Sequence, residues 1–333
     1  MKDVYILAVE TTCDETSIAV VKNGKEVVGD IILSQMDTHA EYGGVVPEIA
    51  SRMHCENITM VLDQTLKMAN ITLDKIDAIA VAYGPGLMGS LLVGIEFAKT
   101  LSYLLNKPLI KVNHLIGHIY ASKFEYDFDF PTLCLIVSGG HTELLIMKDD
   151  YEFEVLGKTL DDAIGEAYDK VARVIGLKYP GGPNVERLAF EGLDSYKLPN
   201  IKTDNKYDFS YSGLKSAVIN IVNNAKQKNE QINYANLAKS FQNKAVEQVV
   251  KNVDLALKNT NIRKVIIAGG VSANKYLREE IEKCCKKNDA VLLAPSFKYS
   301  TDNASMIGAA AYPLYLKKDF TTLALNGVSH IEF

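Results

Sequence analysis

The stretch Leu133-Cys134-Leu135-Ile136-Val137-Ser138-Gly139-Gly140-His141-Thr142 is an apolar strand that ends in a paired-glycine turn. Far downstream Val265-Ile266-Ile267-Ala268-Gly269-Gly270-Val271-Ser272-Ala273-Asn274 repeats the arrangement. Glycines at a strand end let backbone N–H groups approach a phosphate or a ribose, because a Cβ would fill that space. Behind the second turn, residues 275–287 read as a helix whose N-terminus adds the positive end of a dipole. Taken alone, each turn reads equally well as a tight connection. Two of them, each behind an apolar strand, point to a nucleotide site split between two loops.

The strands around these turns also repeat. Residues 4–10, 16–22 and 25–34 read as three strands, the last two joined by Asn23-Gly24, a strong hairpin signal. Residues 133–138, 142–147 and 151–158 form a second such triplet. Helical periodicity follows each, over 47–70 in the first half and 163–175 in the second. Further strands are expected at 78–83 and 109–112, and at 264–268 and 291–294. A meander followed by βα units, repeated once, is the arrangement of the duplicated α/β fold of actin, Hsp70 and sugar kinases (the ASKHA superfold). That superfold has two lobes, with its nucleotide in the cleft between them and the phosphates between two hairpin turns. The expected turns are Thr11-Thr12-Cys13-Asp14-Glu15-Thr16 and Ser138-Gly139-Gly140-His141-Thr142. Residues 1–130 would form the first lobe and 131–301 the second, with a closing helix and tail over 302–333 packing back across the cleft. Residues 179–208, which contain Pro180-Gly181-Gly182-Pro183 and little periodicity, read as loop and insertion over the cleft.

A chain of 333 residues exceeds the size over which one core usually grows, in keeping with two lobes. Apolar residues at 47% and charged ones at 23% are those of an ordinary globular protein. The first apolar run, residues 4–9, is too short for a signal peptide or a membrane span, and no segment holds about 18 uninterrupted apolar residues, so a cytoplasmic protein is expected. Five cysteines without CxxC spacing argue against a disulfide framework and a zinc ribbon. A net charge of −5 excludes a uniformly basic nucleic-acid binder but allows a local patch. Basic residues crowd 263–287, where Glu279, Glu280 and Glu282 would turn the stretch into a solvated, balanced helix face.

Asn113-His114-Leu115-Ile116-Gly117-His118 puts two imidazoles at i and i+4, on one face of a helix. A zinc peptidase would need the glutamate of HExxH, whose place Leu115 takes. Two histidines with a carboxylate and open positions suit iron or zinc. Asp302, at the start of the closing helix, is a candidate that spacing alone does not single out. His39 and His54 read as a loop residue and a helix-surface residue. Glu10, Asp14, Glu15 and His141 stand near the two turns, with either a ligand or a turn-capping role open to them.

With these residues in view, the chain resembles the tRNA N6-adenosine threonylcarbamoyltransferase family, TsaD in bacteria, over essentially its whole length. The likeness runs through Glu10 to Ser17, His39 to Glu48, Gly84-Pro85-Gly86-Leu87, the His114/His118 pair, Val137 to Thr142, Tyr179 to Pro183, Phe209-Ser210-Tyr211-Ser212-Gly213-Leu214-Lys215 and Gly269 to Asn274. The resemblance implies His114, His118 and Asp302 as ligands of one divalent metal, iron favoured and zinc possible. It implies Ile136, Val137, Ser138, Gly139 and Gly140 along the adenylate and metal side, and Asp169, Gly182, Glu186 and Asn274 around the ribose and base. Ile136 stands where archaeal and eukaryotic members carry a tyrosine, which favours the bacterial type, although Asn113 departs from the histidine of many bacterial members. The implied reaction moves a threonylcarbamoyl group from L-threonylcarbamoyl-adenylate to N6 of adenosine 37, in tRNAs reading codons that begin with A, and releases AMP. The implied partners are tRNA, a paralogous TsaB-type subunit and a small TsaE-type P-loop ATPase, with no membrane. Rival readings are a sugar kinase or O-carbamoyltransferase of the same superfold and a silent scaffold paralogue. A kinase has no use for His114 and His118, and a scaffold would not need both that pair and the Gly269-Gly270 loop.

Overall fold

The computed structural model describes residues 2–333, which divide into two compact units: residues up to Phe128 with Pro295–Phe333, and Asp129–Ala294. The units divide at 128/129 and 294/295, whereas the sequence reading drew its boundaries at 130/131 and 301/302. The first unit runs β1 (Tyr5–Glu10), β2 (Glu15–Lys22), β3 (Glu26–Ser34), α1 (Met36–Tyr42), α2 (Pro47–Ala69), β4 (Ala78–Gly84), α3 (Met88–Leu105), β5 (Leu109–Asn113) and α4 (His114–Tyr120). The second runs β6 (Thr132–Val137), β7 (Thr142–Asp149), β8 (Glu152–Lys158), α5 (Ile164–Val174), α6 (Gly181–Phe190), α7 (Ser212–Lys228), α8 (Tyr234–Thr260), β9 (Lys264–Ala268), α9 (Lys275–Lys287) and β10 (Val291–Leu293). The chain then returns to the first unit as α10 (Ala304–Lys317).

Each unit holds a five-stranded sheet, and the two sheets have the same topology. The orders are β3-β2-β1-β4-β5 and β8-β7-β6-β9-β10, with the first three strands of each an antiparallel meander and the rest parallel to the central one. The central strands β1 and β6 bury almost every residue, as strands covered on both faces do. Asn23 and Gly24 both take positive φ, 53° and 67°, at the centre of a turn closed by Lys25 N donating to Lys22 O at 3.1 Å. Helices α2, α3, α7 and α8 all end on an asparagine in the left-handed region, which the short polar side chain tolerates.

In the first unit, Leu7, Val9, Ile18 and Val20 of the sheet pack with Ile58 and Val61 of α2 and Leu91, Ile95 and Ala98 of α3. Helix α3 is long and apolar enough to cross a membrane by length and composition, yet it carries Glu96 and Lys99 and gives its apolar face to this core. Helix α10 lies against β1 and β2 through small residues: a Cβ on Gly308 would meet Val21 Cγ2 at 2.5 Å. In the second unit, Leu133, Leu135 and Val137 pack with Tyr168 of α5 and Phe241 of α8, whose rings meet edge to face at 5.0 Å.

The structure corrects two expectations. Within 179–208, residues 181–190 form α6 rather than loop. Val185 and Ala189 are buried, so a short amphipathic helix overrides the breaker residues, and Pro183 sits in its first turn, where a missing N–H does no harm. His39 and His54 are fully buried rather than loop and surface groups. Cys284 and Cys285 both face the core of the second unit.

Candidate metal and nucleotide sites

In the first unit β5 ends at Asn113, whose side chain accepts from Leu115 N at 2.8 Å and caps α4. That cap starts the helix directly at His114, so His114 and His118 share one face. Gly117, between them, lies under α10: a Cβ there would meet Ile307 Cδ1 at 2.9 Å and Met306 Cγ at 3.3 Å. Two bonds fix the start of α10. Asn303 caps it by accepting from Met306 N at 2.9 Å, and Ala304 N donates to Ser17 Oγ of β2 at 2.9 Å. Asp302, one residue before the cap, is thereby set against both imidazoles. Its Oδ1 lies 3.1 Å from His118 Nε2 and 3.6 Å from His114 Nε2.

These three residues offer ligand atoms all within 4.8 Å of one another. With metal–nitrogen bonds of about 2.0–2.1 Å, two ligands of a tetrahedral ion lie about 3.3 Å apart, close to the carboxylate–imidazole distances here. His114 Nδ1 donates to Glu10 Oε2 at 2.9 Å, with Thr12 Oγ1 at 3.2 Å from the same nitrogen, so Nε2 is the atom turned to Asp302. A histidine oriented by a carboxylate on its far nitrogen is the arrangement metal ligands use. His118 Nδ1 is buried without a hydrogen-bond partner among the described residues. Burial opposes charge on His114, but the carboxylates of Glu10 and Asp302 outweigh it and raise its pKa to about 9. Asp302 shows the reciprocal effect: burial is overcome by His114 and His118, and its pKa falls to about 2. The donor set and its geometry fit a divalent ion.

His54 braces the turn that follows β1, and His39 is held close by. His54 Nε2 donates to Cys13 O at 3.0 Å while its Nδ1 faces Thr16 Oγ1 at 2.7 Å. Val46 N donates to His39 Nδ1 at 3.3 Å, and Gln35 Oε1 lies 3.1 Å from His39 Nε2. Burial lowers the pKa of His54. Glu15, on the same turn, is pushed well up by burial and by Asp302 and Asp14.

In the second unit, Ile136 and Val137 are fully buried in β6, so only their backbone is available to a ligand. The turn after them is closed by Ser138 N donating to His141 O at 2.8 Å and His141 N donating to Ser138 Oγ at 3.0 Å. A Cβ on Gly139, Gly140, Gly182 or Gly270 would meet nothing within 4 Å. Gly269 and Gly165 are different. Gly269 has φ +90° and a Cβ there would meet Val137 O at 2.5 Å, while one on Gly165 would strike Ser138 O at 2.6 Å. These two glycines pack the loops; the other four leave backbone exposed to an approaching group. Asp169 Oδ1 accepts from Gly181 N at 2.7 Å, and burial raises its pKa against the pull of the Gly181 and Gly182 amides.

The expectation that the N-terminus of α9 attracts phosphate needs correction. Glu186 Oε1 accepts from Lys275 N at 2.7 Å and from Tyr276 N at 3.2 Å, and Asn274 Oδ1 accepts from Leu277 N at 2.8 Å. A carboxylate and an amide of the chain itself already satisfy the free N–H groups of that helix end. Glu186 and Asn274 therefore cap α9 here, a role no spacing rule reveals because Glu186 comes from another helix. The seven-residue run ending at Lys215 also gains a physical role: Asp161 accepts from Ser210 Oγ, Tyr211 N and Ser212 N, and Lys215 pairs with Asp162 at 2.6 Å, which fixes the start of α7.

Comparison with known proteins gives the family of the chain. The family described as tRNA N6-adenosine threonylcarbamoyltransferase, TsaD, matches residues 26–309. A protein of that name from Staphylococcus saprophyticus is 54% identical over 328 residues, 98% of this chain and 96% of its own. One from Staphylococcus aureus is 54% identical over 332 residues, 99% and 97% of the two chains. Among solved structures, HypF of T. kodakarensis superposes with a TM-score of 0.62 at 14% identity, covering 97% of this chain and 49% of HypF. Component A of the (R)-2-hydroxyglutaryl-CoA dehydratase of Acidaminococcus fermentans gives 0.55 at 13%, over 93% and 98%. Likeness at this level speaks for the fold alone, and the fold is the duplicated actin, Hsp70 and sugar-kinase type.

Proposed function

This chain belongs to the TsaD family of tRNA N6-adenosine threonylcarbamoyltransferases, and from that premise we propose that it acts by metal-assisted direct transfer from L-threonylcarbamoyl-adenylate. It is a transferase whose substrate is tRNA and whose product is the threonylcarbamoylated adenosine. In the proposed step, N6 of adenosine 37 attacks the carbamoyl carbonyl carbon. A C–N bond forms, the bond to the phosphate oxygen breaks, AMP leaves with the electron pair, and one N6 proton is released. The observation that carries this reading is the meeting of His114 Nε2, His118 Nε2 and Asp302 Oδ1. Iron(II) is the favoured ion and zinc the alternative, since two imidazoles and one carboxylate with open positions suit both. Bound there, the ion would supply a Lewis acid for the acyl oxygen.

The chain's own groups have separate tasks. Glu10 holds His114 with Nε2 forward, and the Asn113 and Asn303 caps fix the two helix ends that present the ligands. The open backbone at Gly139 and Gly140 would take the adenylate phosphate and stabilise the charge of departing AMP, with Ser138 beside it. Gly182 and Gly270 offer similar access, and Asp169, Glu186 and Asn274 shape the ribose and base region through the loops and helix end they tie together. A TsaB-type subunit and a TsaE-type ATPase complete it as partners, in the cytoplasm.

The test is elemental analysis of the purified protein against its His118→Ala variant, with circular dichroism as a control. About one metal per chain, lost in the variant with the fold retained, supports the reading. A variant that keeps its metal and full transfer activity contradicts it.

A further inference from the structure

Four of the seven cations in the basic stretch over 263–287 are paired in the folded chain: Lys264 with Asp129, Lys283 with Glu280, Lys286 with Glu282, and Lys287 at 3.7 Å from Asp254. Positive charge gathers elsewhere on the second unit. A groove of about 590 Å³ runs between the loop around Lys202 and Lys206 and the flank of α8 that carries Lys244 and Lys251. Its one acidic lining residue is Glu247, which pairs with Lys244 at 2.6 Å. Among the described residues no carboxylate pairs with Lys202, Lys206 or Lys251, all three of which are exposed. Four lysines against one glutamate leave three positive charges in a chain of net charge −5.

The loop is held rather than free. Asn252 Nδ2 donates to Tyr207 O and Asp208 O at 2.8 and 3.0 Å, Asn205 Nδ2 donates to Leu156 O at 3.0 Å, and Thr203 Oγ1 donates to Asn205 O at 2.8 Å. Lys244 and Lys251 stand two helical turns apart, roughly 10 Å along α8. Solvated ammonium groups on long stems, spread along an open groove, suit a row of phosphates better than one chelated anion, which would call for a planar guanidinium fork. We propose that this groove binds the phosphate backbone of the substrate tRNA, outside the nucleotide loops. The proposal rests on tRNA being the substrate.

The test is binding of an unmodified tRNA transcript to the full chain across a salt series, with a Lys202→Gln/Lys206→Gln/Lys251→Gln variant beside the wild type. Removing three phosphate contacts should flatten the slope of log affinity against log salt by about two to three. Arginine at the same positions should restore it, Glu247→Gln should tighten binding, and AMP binding should not change in any variant. If the wild type binds tRNA and the glutamine variant shows the same slope, the groove proposal is overturned while the transferase reading stands. Loss of AMP binding along with tRNA binding in the glutamine variant would also overturn it, because the lysines would then belong to the nucleotide site. If the wild type binds no tRNA at any salt, the groove proposal is overturned, while the transferase reading, which rests on the family, stands.

Discussion

His114 is held between opposing influences, and their balance sets a pH dependence. Burial disfavours its charge, Glu10 and Asp302 favour it, and the outcome is a pKa of about 9. A histidine whose pKa is higher in the folded state adds stability that is fully present below its unfolded value, near 6.5, and is lost as pH rises through about 9. Metal-free protein should therefore melt at falling temperatures across that window. A metal needs the Nε2 lone pair, so metal affinity should rise over the same range by about tenfold per pH unit, with one proton released per ion bound. Calorimetry in buffers of different ionisation enthalpy measures that proton; an affinity flat between pH 6.5 and 9 would count against the assignment. The sequence showed the i, i+4 pair because helical spacing is local. It did not reveal that Glu10 orients His114 or that Asn113 caps α4, since neither bond follows from periodicity. Asp302 was drawn from resemblance, and what sets it in place, the α10 cap and the bond to Ser17, is tertiary.

Among the elements, the glycine loops yield a contrast that can be measured. Gly139→Val places its side chain in open space and Gly165→Val drives one into the Ser138 carbonyl, 2.6 Å from the ideal Cβ. The first should leave the melting temperature near wild type while weakening AMP binding; the second should destabilise by about 1–3 kcal/mol, as overpacking does. Calorimetric titration and thermal melts on both variants check this, and equal loss of stability in the two would show that Gly139 is a packing residue. Helix α6 shows why a pattern of breakers misleads. Pro180-Gly181-Gly182-Pro183 signals a turn, yet the residues that follow carry Val185 and Ala189 toward the core, and burial of that short face decides the outcome. The α9 terminus misleads in the opposite direction: its dipole is real, but Glu186 of α6 reaches it first.

At the scale of the whole molecule, the duplication was legible because each half opens with a strong three-strand meander and ends in parallel strands, so the two sheets repeat one order. Charge was legible only as a sum. A net −5 confines the cations that can displace counterions from RNA to local clusters, so tRNA binding by the isolated chain should be weak and salt-dependent, and a partner chain should tighten it. Tight, salt-insensitive binding by the chain alone would contradict that expectation. The central claim, direct transfer that depends on the metal at His114, His118 and Asp302, is tested most directly by reconstitution. Metal-stripped and metal-restored protein would be incubated with its partners, tRNA and adenylate carrying an isotopically labelled threonylcarbamoyl group, and the nucleosides and the protein analysed by mass spectrometry. The account predicts labelled adenosine 37 and equimolar AMP only after metal is restored, with no labelled protein. Full transfer by stripped protein, or label on the chain that passes to tRNA, would contradict it.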